Sequence, residues 1–387
     1  MKNGTARGGA VGIGAATGEI PDSRPRSSPV RGAMGFGGLC RSRAGVVELG
    51  RGRSSSVTCR SFREYLRTTV ATEHSVDLAS VLSDIGSACT QIADRVDKAP
   101  LLGGELGTSS EAGKKNASGD DQQELDLVAN EILIDALRSS PCVALAASEE
   151  NDETIDTRVG EAVGDQTFAV IFDPLDGSRN IECNIPTGTI FAVYENAARG
   201  VLRPGKELIA AGYVLYSSSC LLVLTVGSGV NAFTLSRETG EFVLTHPDLR
   251  IPSAGQIYSV NDGRYWDWSD GLRSYIDTIR KGEGRQKKQY SARYVCSLVA
   301  DVHRTLLYGG VAMNPRHHLR LLYEGNPMAF IVEQAGGSGV DGFGRLLDLV
   351  PTGLHQKVPV FVGSPEDVEE LTSFGNVVQE NTKTYKV

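Results

Sequence analysis

Apolar positions first recur at helical spacing between residues 78 and 96, where Leu78, Val81, Leu82, Ile85, Cys89, Ile92 and Val96 fall at i, i+3, i+4 and i+7. This stripe predicts an amphipathic helix that begins near Ser75, where order is expected to start, and stops before Pro100. A second stripe, Leu125, Val128, Ala129, Ile132, Leu133 and Leu137, predicts another helix from about Gln122 to Leu137. The pattern then changes to short apolar runs: Val143–Ala147, Phe168–Phe172, Thr189–Tyr194, Leu208–Tyr216, Cys220–Val226 and Glu241–Thr245. Their lengths are those of strands, so the middle of the chain is expected to be sheet. Helices at Leu298–Leu307 and Met328–Ala335, a strand at Val358–Val362 and a closing helix at Pro365–Phe374 capped by Ser364 complete the order. Strands mixed with helices point to an α/β layered sandwich, with a boundary between two halves in 245–260.

The first sixty residues follow neither period. They hold 13 glycines and clusters such as Arg51-Gly52-Arg53-Ser54-Ser55-Ser56, and cannot build a core. Arg-rich, Ser-rich and acid-poor is the composition of an organellar transit peptide; a plain disordered tail is the alternative. The expected organisation is a disordered segment 1–70, an N-terminal half 71–250 with a Gly/Ser/Lys loop at 103–119, and a C-terminal half 251–387. Charge follows the same division, net +8 over residues 1–70 and −16 over the remainder. An acidic body repels nucleic-acid phosphate and suits a site that concentrates divalent cations, so no nucleic-acid partner is expected. No window approaches the ~18 apolar residues of a membrane span, so no membrane partner is expected either. Seven cysteines, scattered singly, read as small buried hydrophobes rather than a disulfide framework or a zinc site.

Candidate chemistry gathers where apolar strands end in acids. Val143–Ala147 runs into Ser148-Glu149-Glu150, and Phe168–Phe172 runs into Asp173-Pro174-Leu175-Asp176-Gly177-Ser178. Carboxylates delivered to two strand ends repel one another unless cations lie between them, and oxygen ligands without a Cys or His cluster select Mg²⁺ or Mn²⁺ over zinc. Pro174 is expected to turn the chain so that Asp173 and Asp176 face one point with the Leu175 carbonyl between them. Gly177 leaves room for an oxyanion, and the Gly177 and Ser178 amides can form an anion-binding nest. An ordinary Asp-Pro turn is the plain alternative. Asp120 and Asp126 share a face only if Asp120 stands in the loop before the second helix; they can orient a water, or be a cap and a solvated helix acid.

The run Asp173–Ser178 resembles the signature of the Mg²⁺-dependent, lithium-sensitive phosphatase superfamily. Ala292-Arg293-Tyr294-Val295, the run Val299–Leu306, Tyr308-Gly309-Gly310, the run Leu319–Pro327 and the run Gly363–Val368 are similar to the fructose-1,6-bisphosphatase family within it, a likeness that extends from about Ser75 to Leu371. The resemblance implies a sugar-phosphatase fold of two α/β subdomains with mixed sheets between helix layers. It implies that Glu149, Glu150, Asp173, Asp176, Glu324 and the Leu175 carbonyl hold two or three Mg²⁺ ions, and that Asp120, Asp126 and Glu150 serve catalysis. The Gly177 and Ser178 amides and Arg320 would hold the reacting phosphate, where Arg179 either adds a charged contact or crowds it; Asn261, Arg293 and Tyr294 would hold the distal phosphate, and His318 stands at a substrate-binding position. The implied reaction is hydrolysis of the 1-phosphate of fructose 1,6-bisphosphate. The family takes Arg293 from a neighbouring subunit, so a homodimer or homotetramer is implied, and the N-terminus favours a plastid over the cytoplasm.

Four positions depart from the family pattern: Arg179 for a serine, Arg264 and Asn314 for tyrosines, and His318 for a lysine. They leave sedoheptulose 1,7-bisphosphate open as the substrate, alongside another ester such as an inositol phosphate, or a homologue that only binds. At the positions where relatives bind AMP, Thr167 and Phe168 replace a Lys-Tyr pair, Glu195 an arginine and Val76 a glycine, which predicts insensitivity to AMP. The segment Glu195–Leu208 holds no cysteine, which predicts no thiol control of the kind that relies on an insertion there.

Overall fold

The computed structural model describes residues 60–101, 124–158 and 167–379. Asp120, the loop at 103–119 and nearly all of the N-terminal segment lie outside the described residues. Two sheets carry the fold. The larger has the order β2-β1-β3-β4-β5-β6-β7-β8, from β1 (Val143–Ser148), β2 (Ile155–Asp156), β3 (Phe168–Asp176), β4 (Thr187–Glu195), β5 (Leu208–Tyr216), β6 (Cys220–Thr225), β7 (Val230–Ser236) and β8 (Glu241–Leu249). The smaller has the order β10-β9-β11-β13-β12, from β9 (Ile257–Ser259), β10 (Ser291–Ala292), β11 (Val311–Arg320), β12 (Ser338–Val340) and β13 (Lys357–Gly363).

Helices fill the layers around them: α1 (Phe62–Tyr65), α2 (Ala71–Glu73), α3 (Val76–Lys98), α4 (Glu124–Ser139), α5 (Asp270–Lys281), α6 (Leu298–Tyr308), α7 (Asn326–Gln334) and α8 (Pro365–Thr372). The alternation along each strand shows which layer lies where. On β3, Phe168, Val170 and Phe172 face a core shared with α3 and α4, while Ala169 and Ile171 face a second core. That second core also holds α6, α7 and the Val358, Val360 and Val362 side of β13. Phe361 points to a third core with Leu272, Tyr275, Ile276 and Ile279 of α5 and Val368 of α8. The result is an α/β/α/β/α sandwich in which both faces of the inner strands are buried, which is why β3, β4 and β5 read as nearly unbroken apolar runs.

Order begins before Ser75. Phe62, Tyr65, Leu66 and Val70 are buried, with the Phe62 ring 5.0 Å from Phe233, and Leu244 N–H donates to the Arg60 carbonyl at 2.9 Å on the outer edge of β8. A helical apolar stripe thus hides among Arg60, Arg63 and Arg67, and the start of ordered chain is earlier than composition suggests. Ser364 stands at the α8 cap position, but its hydroxyl accepts from Gly310 N–H at 3.0 Å instead of capping the helix. The cysteines divide: Cys89 and Cys220 are buried, Cys142 is half-buried, and Cys183 and Cys296 are exposed, so burial does not account for all of them. Among the described residues no helix is long and apolar enough to cross a membrane.

Candidate active site

β1 and β3 are the parallel neighbours of the larger sheet, paired from Val143 opposite Phe168 to Ser148 opposite Phe172. Parallel pairing brings two C-terminal strand ends to one edge, the place where α/β sheets bind ligands. Glu149 N–H donates the last ladder bond, to the Phe172 carbonyl at 3.1 Å, so Glu149 stands beside Asp173. The chain does not turn at Pro174. β3 continues to Asp176, and its register against β4 shifts from Asp173 opposite Ile190 to Asp176 opposite Gly188, one extra residue on β3. In a regular strand residues three apart point to opposite faces; the bulge returns both aspartates to one side. Leu175 N–H donates to Asp173 Oδ1 at 2.9 Å, and Thr189 Oγ1 donates to the Pro174 carbonyl at 2.8 Å, which satisfies the bulged backbone.

The turn follows at Gly177, whose φ of 73° is left-handed and whose missing Cβ would lie 3.2 Å from the Ser297 Cβ. Ser178 opens the short helical turn Ser178–Cys183, and Arg179 is exposed on it. Glu324 arrives from the second half on the wide π-type turn Leu321–Gly325, a form of helix often found at functional sites. Asp173, Asp176 and Glu324 each offer an oxygen within 4.8 Å of the others, and all three are buried. Arg320 N–H donates to Glu324 Oε2 at 2.6 Å, while its guanidinium lies 2.8 Å from Glu149 Oε1 and 3.7 Å from Glu324 Oε2. Glu149 faces Arg320, which sits between it and Glu324, and is also hydrogen-bonded to Asp173 of the trio. Glu150 is half-buried beside it, and Asp126, 4% exposed in the first turn of α4, adds its field to Glu149.

Four buried acids face one buried guanidinium, and their protonation reports the imbalance. Burial, with Glu150 adding to it against Arg320, raises Glu149 to about 7, and burial raises Glu324 to about 8. Burial and the neighbouring Glu149, Glu324 and Asp176 hold Asp173 well above the usual carboxylate range. Burial raises Asp176, and the hydrogen bonds that Val299 N–H and Ser297 Oγ donate to its Oδ2, at 3.0 and 2.7 Å, oppose the rise. An oxygen-only pocket with this excess of negative charge fits a hard divalent cation, and the side chains present are the ligands such an ion takes. Ser297, the N-cap of α6, was not singled out by its chemistry in the sequence; a serine just ahead of an apolar helical run was the available signal.

The proposed distal residues gather at a second set of parallel strand ends. β10, β9 and β11 run parallel, with Ala292 opposite Tyr258 and Ala312 opposite Ser259. Asn261, Arg293 and Tyr294 follow the ends of β9 and β10 and are exposed, and Asn314 lies at the same level on β11, half-buried with its Oδ1 enclosed and without a hydrogen-bond partner among the described residues. Tyr294 O–H donates to Cys296 Sγ at 3.1 Å and feels the charge of Arg316, a cation absent from the sequence expectations. Arg264 and His318 are half-buried. The segments 293–297 and 314–320 lead from this end to Ser297 and Arg320 at the acids.

Residues 64–247 match the family described as "Fructose-1-6-bisphosphatase, N-terminal domain", and residues 251–376 match "Fructose-1-6-bisphosphatase, C-terminal domain". The chain is 45% identical over 335 residues to the chloroplastic fructose-1,6-bisphosphatase of Brassica napus, covering 80% of each. It is 46% identical over 308 residues to the cytosolic fructose-1,6-bisphosphatase of Oryza sativa subsp. indica, covering 76% of this chain and 88% of that one. Its fold is similar to the crystal structure of Leishmania major fructose-1,6-bisphosphatase in holo form, with a TM-score of 0.75 and 38% identity over 82% of this chain and 99% of that one.

Proposed function

The chain belongs to the fructose-1,6-bisphosphatase family, and from that premise we infer that it hydrolyses the 1-phosphate of fructose 1,6-bisphosphate to fructose 6-phosphate and phosphate. The observation that carries this reading is the buried group Asp173, Asp176 and Glu324, with Glu149 and its Arg320 partner beside it. Glu149, Glu150, Asp173, the Leu175 carbonyl, Asp176 and Glu324 would hold two or three Mg²⁺ ions, with Mn²⁺ as a substitute. When bound, such ions polarise a phosphoryl oxygen and lower the pKa of a water.

The chain's own groups do the rest. Asp126, Glu150 and Asp120 orient the attacking water, and one of them takes its proton as its oxygen bonds to phosphorus; the bond to the sugar oxygen breaks, and that oxygen takes up a proton from solvent to become the sugar hydroxyl. The Gly177 and Ser178 amides, with Arg179 and Arg320, cradle the equatorial oxygens. Asn261, Arg293, Tyr294 and His318 hold the distal phosphate. Arg293 is exposed, which suits its donation to a second copy of the chain in a homodimer or homotetramer. The Arg-rich, acid-poor N-terminus supports a plastid location, although similar proteins include both chloroplastic and cytosolic enzymes.

The test is Mg²⁺-dependent phosphate release from fructose 1,6-bisphosphate and sedoheptulose 1,7-bisphosphate in parallel. The expected result is turnover with the higher kcat/KM on the fructose ester. A higher value on the sedoheptulose ester would overturn the fructose reading in favour of that substrate, and silence on both with metal bound would mean that Arg179, Arg264, Asn314 and His318 have changed the substrate to another phosphate ester or ended catalysis.

Regulation is expected to be simple. Thr167 and Phe168 are buried and Glu195 is exposed, so the place where relatives hold a nucleotide phosphate presents an acid. The segment after β4 is a pair of tight turns held by Arg203, whose guanidinium donates to the Glu195 carbonyl at 2.6 Å and to Glu207 at 2.9 Å. AMP at millimolar concentration and dithiothreitol should each leave the initial rate unchanged. Strong inhibition by AMP would overturn the first expectation, and activation by the thiol the second.

A further inference from the structure

We propose that Asn130 is a positioning residue for the turn that carries Glu149 and Glu150, acting through Ser148 and Asn151. The proposal rests on the reading of that turn as part of a metal site. Asn130 lies on α4, one turn beyond Asp126, and is 6% exposed. Ser148 Oγ donates to its Oδ1 at 2.6 Å, and its Nδ2 donates to Asn151 Oδ1 at 2.9 Å. The two ends of one amide thus hold the residue before the acid pair and the residue after it.

The turn needs such a clamp. The ladder between β1 and β3 ends at Glu149, and beyond it the backbone is closed by Asn151 N–H to the Ser148 carbonyl at 3.3 Å and by Glu150 N–H to Ser148 Oγ at 3.2 Å. Ser148 can accept from Glu150 only while its own proton points elsewhere, and the Asn130 carbonyl receives that proton. From Asn151 the chain of contacts goes on: its carbonyl accepts from His355 Nε2 at 3.1 Å, and the His355 ring lies 5.5 Å from Tyr323, the neighbour of Glu324. One buried amide therefore links α4, the Glu149-Glu150 turn and the segment that leads to Glu324. Asparagine is the side chain of this size that supplies an acceptor and a donor together, and groups that orient metal ligands matter to affinity almost as the ligands do.

The test uses the full chain and Mn²⁺ as the probe, with bound ion measured by electron paramagnetic resonance and titration calorimetry and Tm recorded alongside. Asn130→Leu keeps volume and removes both hydrogen bonds; it should weaken Mn²⁺ binding about tenfold, while KM for substrate at saturating metal stays within about twofold because Asn130 does not reach the substrate. Ser148→Ala should weaken binding about threefold, and adding it to Asn130→Leu should cost nothing further, since both act through one clamp. Unchanged Mn²⁺ affinity in either folded variant, or losses that multiply in the double variant, would overturn the proposal. A folding failure of Asn130→Leu leaves Ser148→Ala to decide it. Native protein that binds no Mn²⁺ overturns the metal reading and the proposal together, which distinguishes the two failures.

Discussion

Asp173→Asn is expected to give a folded protein that hydrolyses fructose 1,6-bisphosphate about a thousandfold more slowly, equivalent to about 4 kcal/mol of barrier at 1.36 kcal/mol per tenfold. The amide loses a charged ligand at the centre of the buried group, yet its Oδ1 still accepts from Leu175 N–H. Stability should move the other way. Burial and the acids Glu149, Glu324 and Asp176 all oppose a charge on Asp173, so replacing it relieves repulsion in metal-free protein. At pH 8 the metal-free variant should melt at or above the native Tm, and Mg²⁺ should no longer raise it. Retained turnover would remove Asp173 from the metal set, and a collapse of Tm would mean that its role is to hold the fold.

Arg320→Met tests the counter-charge. Arg320 is buried, with its guanidinium 2.8 Å from Glu149, and each of the four acids has a folded pKa raised above its unfolded value. Such groups bind more protons folded than unfolded, so metal-free stability is greatest below the unfolded values near 4 and falls as pH rises through about 7 for Glu149 and about 8 for Glu324. Removing the cation that opposes this rise should cost about 3 kcal/mol at pH 8.5, where the carboxylates ionise without a partner, and far less at pH 5. Urea unfolding of metal-free protein at the two pH values measures the difference. A penalty equal at both would show that Arg320 contributes by packing alone. Saturating Mg²⁺ should restore much of the loss at the higher pH.

How much of this was legible in the sequence depended on whether a signal was local. α3 has its whole signature in one window, Ser75 as cap and an unbroken stripe, and β5 was predicted with the bounds it has. β11 was missed because Asn314, Pro315, Arg316, His317 and His318 interrupt its apolar pattern; it is a strand by virtue of pairing with β9 and β13. β7 follows two glycines and carries the polar Asn231, Thr234 and Ser236 among its apolar residues, and its partners β6 and β8 determine it. α5 is different: Ser269, the stripe Leu272, Tyr275, Ile276 and Ile279, and Gly282 at its end form a complete local signature, yet the helix is not among the expected elements. In the site, Glu149, Glu150, Asp173 and Asp176 can be read because two apolar runs end in them, whereas Glu324 is implied only by the family resemblance. The bulge at Pro174, the Ser297 contact and the place of Arg320 among the acids cannot be read, since each depends on register or on a partner more than a hundred residues away in sequence.

The core between the two sheets bears on how the chain can be dissected. It takes Ile171, Ile190 and Tyr213 from the larger sheet, Ala312 and Val360 from the smaller, and the helices α6 and α7 that lie between them. A cut in the connection between β8 and β9 falls at the border of the two matched family segments, yet it would leave each fragment with one wall of a shared interior exposed to water. Two such fragments are therefore complementary parts of one folding unit, each a template for the other, and a truncation that respects the sequence border would still yield an aggregating polypeptide.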